Sequence, residues 1–326
     1  MRLGVISLHG GDPVWMQTGQ EAYHYLARAH WLPDGKLTAQ FVNRAQSLLN
    51  LVAFDPSTGA GSTILAEYSD TWINLHDIFQ PLAAQPGVAP SYFLWASERS
   101  GFRHLYLYQQ DGTLAGALTR GEWVVDSLVG VDEARGWVYF MASKDTPLES
   151  HLYRVALTGG EPQRLTQQAG THAVVLDHAC NRFVDIYSAM EHPPRIELRA
   201  LDDGRLLLAL FQADDARIQT LGLQPPEMVT LTNREGDLLY GALYRPSARF
   251  GPGPYPTIVQ VYGGPHAQTV TNSWSMTVAM RAQYLRSLGY LVFMLDNRGS
   301  LRRGLAFEGA IRYAMGNVEV QDQVDG

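Results

Sequence analysis

The chain has 326 residues, of which 46% are hydrophobic and 17% charged, and its formal net charge is -7 at pH 7. This length predicts two domains, and the ordinary composition excludes a disordered or a collagen-like chain. The acidic balance argues against nucleic acid as a partner. Because Cys180 is the single cysteine, neither an intrachain disulfide nor a cysteine-based zinc site is expected. No apolar stretch reaches the roughly 18 residues of a membrane span.

The N-terminal stretch, MRLGVISLHGGDP, carries one basic residue and then the pattern of a strand and a turn. It lacks the apolar region of a secretory signal peptide. The chain is therefore expected to begin inside a folded structure, as an internal fragment of a longer protein would.

An internal repeat runs through the first two thirds of the sequence. LGVISLHGGDP from Leu3 and LYRVALTGGEP from Leu152 align without a gap, each as a short strand followed by a Gly-Gly-acid-Pro turn. Segments beginning at Leu51, Leu105 and Ile196 fit the same template. About four short strands in each repeat are typical of a β-propeller, here a partial one of about five blade repeats. A β-sandwich with chance similarity is the alternative.

Two features resemble functional motifs, an oxyanion motif and a set of histidines, but a structural role explains each of them better. His9-Gly10-Gly11 matches an oxyanion motif of lipases, but its repeat counterpart Thr158-Gly159-Gly160 lies in a predicted hairpin, which favours a turn. His76, His104, His172 and His178 show no metal-ligand spacing and are better explained as blade-packing or loop residues. Neither a metal nor another cofactor is expected.

The pattern changes after residue 222, where Pro225-Pro226 interrupts it as a linker would. Met228–Pro246 then predicts a β-hairpin. Thr257–Tyr262 is an almost wholly apolar strand of the kind buried on both faces.

A helix and a second buried strand are predicted next. Met276–Leu288 has helical spacing with Gly289 as its C-terminal cap, and Tyr290–Asp296 is the strand. Strand, helix and strand predict a right-handed βαβ unit of a parallel sheet. A hairpin leading into such a sheet is typical of the α/β-hydrolase fold. Residues 1–222 are thus assigned to a partial propeller and residues 223–326 to the truncated, N-terminal part of an α/β-hydrolase domain.

Two loops follow the predicted parallel strands, where an open α/β sheet binds ligands. The first is Gly263-Gly264-Pro265-His266 and the second runs from Asp296 to Gly304. An α/β hydrolase needs a nucleophile in a Gly-x-Ser-x-Gly frame, followed by an acid and a histidine. No serine has that frame, and Ser300 follows Arg298 where the frame needs glycine.

Chain order removes the other candidates for a catalytic triad. Asp296 and His266 precede the expected nucleophile, so we interpret them as a loop-anchoring acid and a histidine at the rim. Anion binding by the loop arginines is a weak alternative. We expect those arginines to pair with Asp296, Glu308 or Glu319.

Several long segments resemble one known family. VQVYGGPHAQTVTNSW, LDNRGSLRRGLAFEGA and GNVEVQDQ in the C-terminal part, with LWASERSGFRHLYLY and LTRGEWVVD in the repeats, are similar to the dipeptidyl peptidase IV family of prolyl-oligopeptidase-type serine peptidases, especially its bacterial members. The resemblance covers essentially the whole chain.

The resemblance implies one catalytic role for a residue of this chain. Tyr262, in Val-Tyr-Gly-Gly-Pro, matches the tyrosine whose hydroxyl helps to form the oxyanion hole. The alternative is a buried tyrosine whose hydroxyl only satisfies a backbone carbonyl. The resemblance also implies that the triad and the glutamates that hold the substrate's amino terminus lie outside this sequence.

The resemblance implies a parent enzyme that removes N-terminal dipeptides after proline through an acyl-enzyme, with peptides as substrates and no cofactor. An acylaminoacyl peptidase-like enzyme and a non-catalytic propeller that binds proteins are the alternatives. A periplasmic or secreted parent is expected from the family alone, and the family allows a homodimer of the full-length protein.

Overall fold

The structure is a computed structural model, and it describes residues 2–18, 24–83, 91–213 and 216–326. The chain forms two compact units. One consists of Met1–Arg120, Glu133–Trp137 and Ala156–Glu161. The other consists of Gly121–Asp132, Val138–Val155 and Pro162–Gly326.

Short antiparallel strands fill the first two thirds of the chain. A two-stranded sheet of β1 (Gly4–Val5) and β2 (Val14–Trp15) comes first. Four sheets of four strands follow, each with its strands side by side in chain order. Their strands are β3 (Tyr25–Trp31), β4 (Leu37–Val42), β5 (Leu48–Phe54) and β6 (Gly61–Tyr68); β7 (Phe79–Pro81), β8 (Tyr92–Ser97), β9 (His104–Gln109) and β10 (Leu114–Ala117); β11 (Val125–Asp132), β12 (Trp137–Ala142), β13 (His151–Ala156) and β14 (Gln163–Arg164); and β15 (Thr171–Leu176), β16 (Arg182–Ala189), β17 (His192–Ala200) and β18 (Leu206–Gln212).

These four-stranded meanders confirm the predicted blade architecture. Four of the five predicted repeat segments lie in four-stranded sheets, and the segment from Leu3 lies in the two-stranded sheet of β1 and β2. The repeat segments that begin at Leu51, Leu105, Leu152 and Ile196 fall on β5, β9, β13 and β17, the third strand of each sheet. The Gly-Gly-acid-Pro turn of the Leu152 segment links the third strand to the fourth, which is why glycines with positive φ recur there, as at Gly159 (82°). The sequence repeat therefore marks one fixed strand of each blade.

Aromatic packing fills the core of the first unit. Phe93 is fully buried, stacks on Tyr108 at a ring-centroid distance of 5.4 Å, and meets the edge of Phe79 at 5.4 Å. Trp95 is 1% exposed and donates its indole N–H to the Glu67 carboxylate at 3.0 Å. The polar atom of this large side chain is thus satisfied inside the core.

Apolar side chains are exposed on one face of the fourth sheet. The strand register places Val175 opposite Val184, Ile186 opposite Ile196 and Leu198 opposite Leu208, and directly opposed residues share a face. Val175 is 64% exposed, and Ile186 and Leu208 are 45% and 55% exposed. This face is a contiguous apolar surface on the described part of the chain.

A mixed sheet with helices forms the last third of the chain. Its strands are β19 (Glu227–Thr232), β20 (Leu238–Tyr244), β21 (Thr257–Gln260) and β22 (Leu291–Asp296), and its helices are α1 (Ala216–Thr220), α2 (Trp274–Thr277), α3 (Met280–Ser287), α4 (Leu305–Gly309) and α5 (Val318–Asp325), with a 3-10 turn at Ala248–Phe250. The strand order is β19-β20-β22-β21.

The strand pairing agrees with the sequence-based prediction. The hairpin β19–β20 is antiparallel, and β21 and β22 run parallel with α2 and α3 between them. This is the beginning of an α/β-hydrolase domain, as predicted. Gly289, the predicted cap of the helix, has φ of 96° just beyond the end of α3, where a side chain would be strained.

One strand differs from its prediction. We expected Thr257–Tyr262 to be buried on both faces, but β21 ends at Gln260, and Val259 and Val261 are 48% and 50% exposed. The reason is position in the sheet: within the described residues β21 pairs with β22 alone and lies at the edge. An apolar strand sequence does not distinguish a central strand from an edge strand.

Candidate active-site edge

Two loops meet at one edge of the mixed sheet. Because β21 and β22 are parallel, their carboxyl ends lie at the same edge. The loop after β21 contains Tyr262 and Gly263–His266, and the loop after β22 runs from Asn297 to Gly304. The structure thus brings the two predicted loops together.

Tyr262 lies two residues beyond β21 and is 58% exposed. Its hydroxyl donates a hydrogen bond to the Pro265 carbonyl at 3.0 Å. The turn between them is tight, since Gly263 has φ of 78° and a side chain on Gly264 would approach the Tyr262 ring to 3.2 Å. The hydroxyl thus binds a backbone carbonyl, as the alternative interpretation expected, but the side chain is exposed rather than buried.

Asp296 holds the segment that follows the Tyr262 turn. Its carboxylate accepts hydrogen bonds from the Thr269 N–H and hydroxyl, both at 2.7 Å, and from the Val270 N–H at 2.9 Å. Asp296 is 6% exposed. Burial raises the pKa of its carboxyl, and the three hydrogen bonds act in the opposite direction by stabilising the charged form. All of its contacts described here are those of a loop anchor.

Ser300 and Arg303 of the Asn297–Gly304 loop contact neighbouring residues of the fold. Ser300 is 5% exposed and donates to the Asn297 carbonyl at 2.7 Å. The Arg303 guanidinium lies over the rings of Tyr240 and Phe307, 5.2 and 4.4 Å from their centroids. Burial lowers the pKa of Arg303.

The other two arginines form ion pairs that the sequence analysis did not predict. Arg298 pairs with Asp322 at 3.0 Å and with Glu235, and Arg302 pairs with Asp126 at 3.0 Å. The expected partners Asp296, Glu308 and Glu319 were wrong for both. Since Arg298 and Arg302 have carboxylate partners, these two cations crosslink the fold, which weighs against an anion-binding loop.

His266 lies at the rim, as interpreted from the sequence. Its side chain is 58% exposed, and its Nε2 is 3.4 Å from a carboxylate oxygen of Glu308, which is buried. His266 has φ of 64°, in the left-handed region that favours glycine. Within the described ranges, no group of three or more His, Cys, Asp or Glu side chains could hold a metal ion.

Residues 266–277, here called the bridge segment, contain the site residue that sequence reasoning missed. Asn272 contacts the loop before β13 and the turn after β16: its amide Nδ2 donates to Glu149 at 2.7 Å and its Oδ1 accepts from the Met190 N–H at 3.2 Å. These partners are 123 and 82 residues away in the sequence. No local pattern could have predicted them.

Four-stranded antiparallel meanders followed by a hairpin and a parallel strand pair define a β-propeller protein joined to the first part of an α/β-hydrolase domain. The sequence model described as "Dipeptidyl peptidase IV (DPP IV) N-terminal region" matches residues 1–194, and that of the "Prolyl oligopeptidase family" matches residues 275–326. The chain belongs to the dipeptidyl peptidase IV family.

Curated relatives agree with this assignment. Dipeptidyl peptidase 8 of Homo sapiens is 34% identical over 362 residues, which cover 94% of this chain and 40% of that protein. The probable dipeptidyl-aminopeptidases B of Coccidioides posadasii (strain C735) and Emericella nidulans are 27% and 29% identical over 90% of this chain, and 33% and 34% of their own lengths are covered. The chain thus spans about two fifths or less of the relatives it matches.

The comparisons correct one expectation. We expected a periplasmic or secreted parent protein from the family resemblance alone. Matching relatives include dipeptidyl peptidase 8 of human and mouse and probable dipeptidyl-aminopeptidases B of fungi, and these conflict with that expectation. The expected location is therefore wrong. None of the helices in the described residues has the length and hydropathy of a membrane span.

Proposed function

We propose that this chain is part of a serine exopeptidase that releases N-terminal dipeptides, preferentially after proline, through an acyl-enzyme. Peptides are its substrates, and the reaction needs no cofactor. Family membership supports the reaction class, since the matching relatives are named dipeptidyl peptidases and dipeptidyl-aminopeptidases. The observation in this chain that carries the proposal is the position of Tyr262, an exposed side chain two residues beyond the carboxyl end of β21.

Tyr262 serves as an oxyanion-hole donor in this proposal. Its O–H turns from the Pro265 carbonyl, which it meets at 3.0 Å, to the oxygen that gains negative charge in the tetrahedral intermediate. Such a donor acts mainly in the transition state, where it contributes about 3–4 kcal/mol. Tyr262 follows the carboxyl end of β21, the edge at which an open α/β sheet binds its ligands.

The nucleophile belongs to a part of the parent protein outside these 326 residues, because no serine here lies in a Gly-x-Ser-x-Gly frame.

We assign residues 1–222 to the propeller domain and residues 223–326 to the peptidase domain. The full-length protein is proposed to be a homodimer, on family membership, and light scattering of that protein tests this.

The decisive experiment compares hydrolysis of a Gly-Pro chromogenic substrate by the full-length protein, its Tyr262→Phe variant and the 326-residue chain. The full-length protein should be active, the variant should lose roughly 100- to 1,000-fold in kcat, and the 326-residue chain should be inactive. Turnover by the 326-residue chain, or a fully active variant, would refute the assignment of roles. Absence of a Gly-x-Ser-x-Gly motif from the full-length sequence would refute the enzyme itself.

A further inference from the structure

We infer that Asn272 is a positioning residue: it fixes the Tyr262 turn against the blade sheets, so that the propeller sets the geometry of the oxyanion donor. This inference rests on the proposed function and adds a residue to it. The contacts of the bridge segment that support it all lie within the second compact unit.

Asn272 uses both its side chain and its backbone to hold the blade sheets. Besides the Glu149 and Met190 contacts already described, its backbone N–H donates to the Leu148 carbonyl at 2.8 Å, and its carbonyl accepts from the Thr171 hydroxyl at 3.2 Å. Four hydrogen bonds thus join one residue to the third and fourth sheets. The side-chain amide of Asn272 makes both side-chain contacts, because it carries a donor and an acceptor; few residue types have both.

The partner carboxylate is itself fixed. One oxygen of Glu149 accepts from Asn272, and the other lies 2.9 Å from Nε2 of His151. His151 is 1% exposed, and its Nδ1 is 3.1 Å from the Thr166 hydroxyl. The Glu149 carboxylate is thus bonded to both Asn272 and His151, and the His151 ring to both Glu149 and Thr166. Asn272 therefore donates to a rigid acceptor rather than to a mobile surface carboxylate.

Apolar packing supports the same contact. Leu148 and Met190 pack against the core of the mixed sheet, which contains Val270 and Met276 of the bridge segment. Val270 is fully buried and Met276 is 3% exposed. The Thr277 hydroxyl also donates to the Met190 carbonyl at 2.6 Å. The bridge segment is therefore packed between the blade sheets and the mixed sheet.

The other end of the segment is held beside the Tyr262 turn. Asp296 binds Thr269 and Val270, and the Leu301 N–H donates to the Ala267 carbonyl at 3.2 Å. Gln268 adds a contact to the blade side by donating to the Pro147 carbonyl at 2.9 Å. Since Pro265, the acceptor of the Tyr262 hydroxyl, directly precedes this clamped stretch, a shift at Asn272 is transmitted to the phenol over a short, constrained path.

The test uses the full-length protein and the Gly-Pro chromogenic substrate. Asn272→Ala should lower kcat by roughly 10- to 100-fold and change KM by less than about threefold, because a displaced oxyanion donor weakens transition-state binding selectively. Asn317→Ala is the matched control: Asn317 is exposed and makes no side-chain cap hydrogen bond, so kcat should stay within about twofold.

A double variant separates positioning from general damage. In a Tyr262→Phe background, Asn272→Ala should cost less than about threefold more in kcat, because the donor through which it acts is already gone. A full, multiplicative loss in that background would overturn the inference. So would an unchanged kcat in Asn272→Ala alone.

A second measurement serves if Asn272→Ala does not fold. Thr171→Val keeps the shape of the side chain and removes only the hydrogen bond to the Asn272 carbonyl. In the 326-residue chain it should speed amide hydrogen exchange at Thr269 and Val270 at least several-fold. Unchanged exchange there overturns the inference. If the wild-type full-length protein has no peptidase activity, the proposed function fails, whereas this exchange measurement still decides whether the blade contacts clamp the segment.

Discussion

Replacing Arg298 by methionine should destabilise the second compact unit strongly. The Arg298 side chain is 7% exposed, and its partner Asp322 is fully buried. Three donors of Arg298 serve that carboxylate: the backbone N–H at 2.7 Å, Nη2 at 3.0 Å and Nε at 3.1 Å. The hydrogen bonds to Asp322 above all, and also that to Glu235, raise the pKa of Arg298, so the guanidinium stays charged.

The magnitude follows from what the substitution leaves behind. Methionine fills a similar volume but removes the charge, so Asp322 stays buried with the Asn233 amide, at 2.9 Å, as its remaining side-chain partner among the described contacts. Removing one partner of a buried ion pair lowers the free energy of unfolding by about 3–5 kcal/mol. Removing both charges costs less, and Arg298→Met with Asp322→Leu should therefore recover part of that loss.

Urea unfolding of the 326-residue chain, followed by circular dichroism, measures these differences. Arg205→Ala is the control, since Arg205 pairs with Asp202 and Asp203 on the surface and is 58% exposed. Solvent screens such a pair, so its removal should have a far smaller effect. If Arg298→Met and Arg205→Ala shift the unfolding midpoint equally, the buried pair does not stabilise the loop as argued.

Three further predictions concern stability and association. Burial lowers the pKa of His76 to about 4, so below about pH 6.5 the unfolded chain binds a proton that the folded chain does not. Stability should thus fall by up to roughly 3 kcal/mol between pH 6.5 and 4; urea midpoints across that range should vary less in His76→Gln, and an equal pH dependence would contradict the assignment. Phe93→Ala should lower the free energy of unfolding by about 3–5 kcal/mol in the same assay, because it leaves a cavity in the core. A loss below about 1 kcal/mol would mean that the surrounding residues collapse into that cavity. Leu208→Lys should reduce dye binding and light scattering without lowering the melting temperature, because it interrupts an exposed apolar face; unchanged scattering would show that this face does not drive association.

The blade pattern was predictable because strands and turns depend on residues that are close together in the sequence. Alternating apolar residues and glycine turns recur at each repeat, and the repeat segments fall on the third strand of each sheet. The hairpin β19–β20 was predictable for the same reason, since its turn residues lie between two alternating runs. The exposure of β21 was not, because exposure depends on which strands pair with it rather than on its own residues.

The partners of the loop residues were not predictable from the sequence. Proximity along the chain suggested Glu308 and Glu319 for the arginines, but Arg302 pairs with Asp126, 176 residues away. Asn272 is surrounded by ordinary polar residues and gives no sign of its four contacts. Contacts of this kind are set by how the third and fourth sheets pack on the mixed sheet, and only the structure contains that information.

The bridge segment has a consequence for limited proteolysis. Leu221, in the stretch that joins the fourth sheet to the mixed sheet, is 59% exposed and open to a protease. A nick there would cut one covalent link but none of the contacts that Asn272, Thr277 and Arg302 make with the blade sheets. The two cleavage products should therefore co-purify under native conditions and separate only in denaturant, so that an intact elution profile from a sizing column would conceal a cut chain.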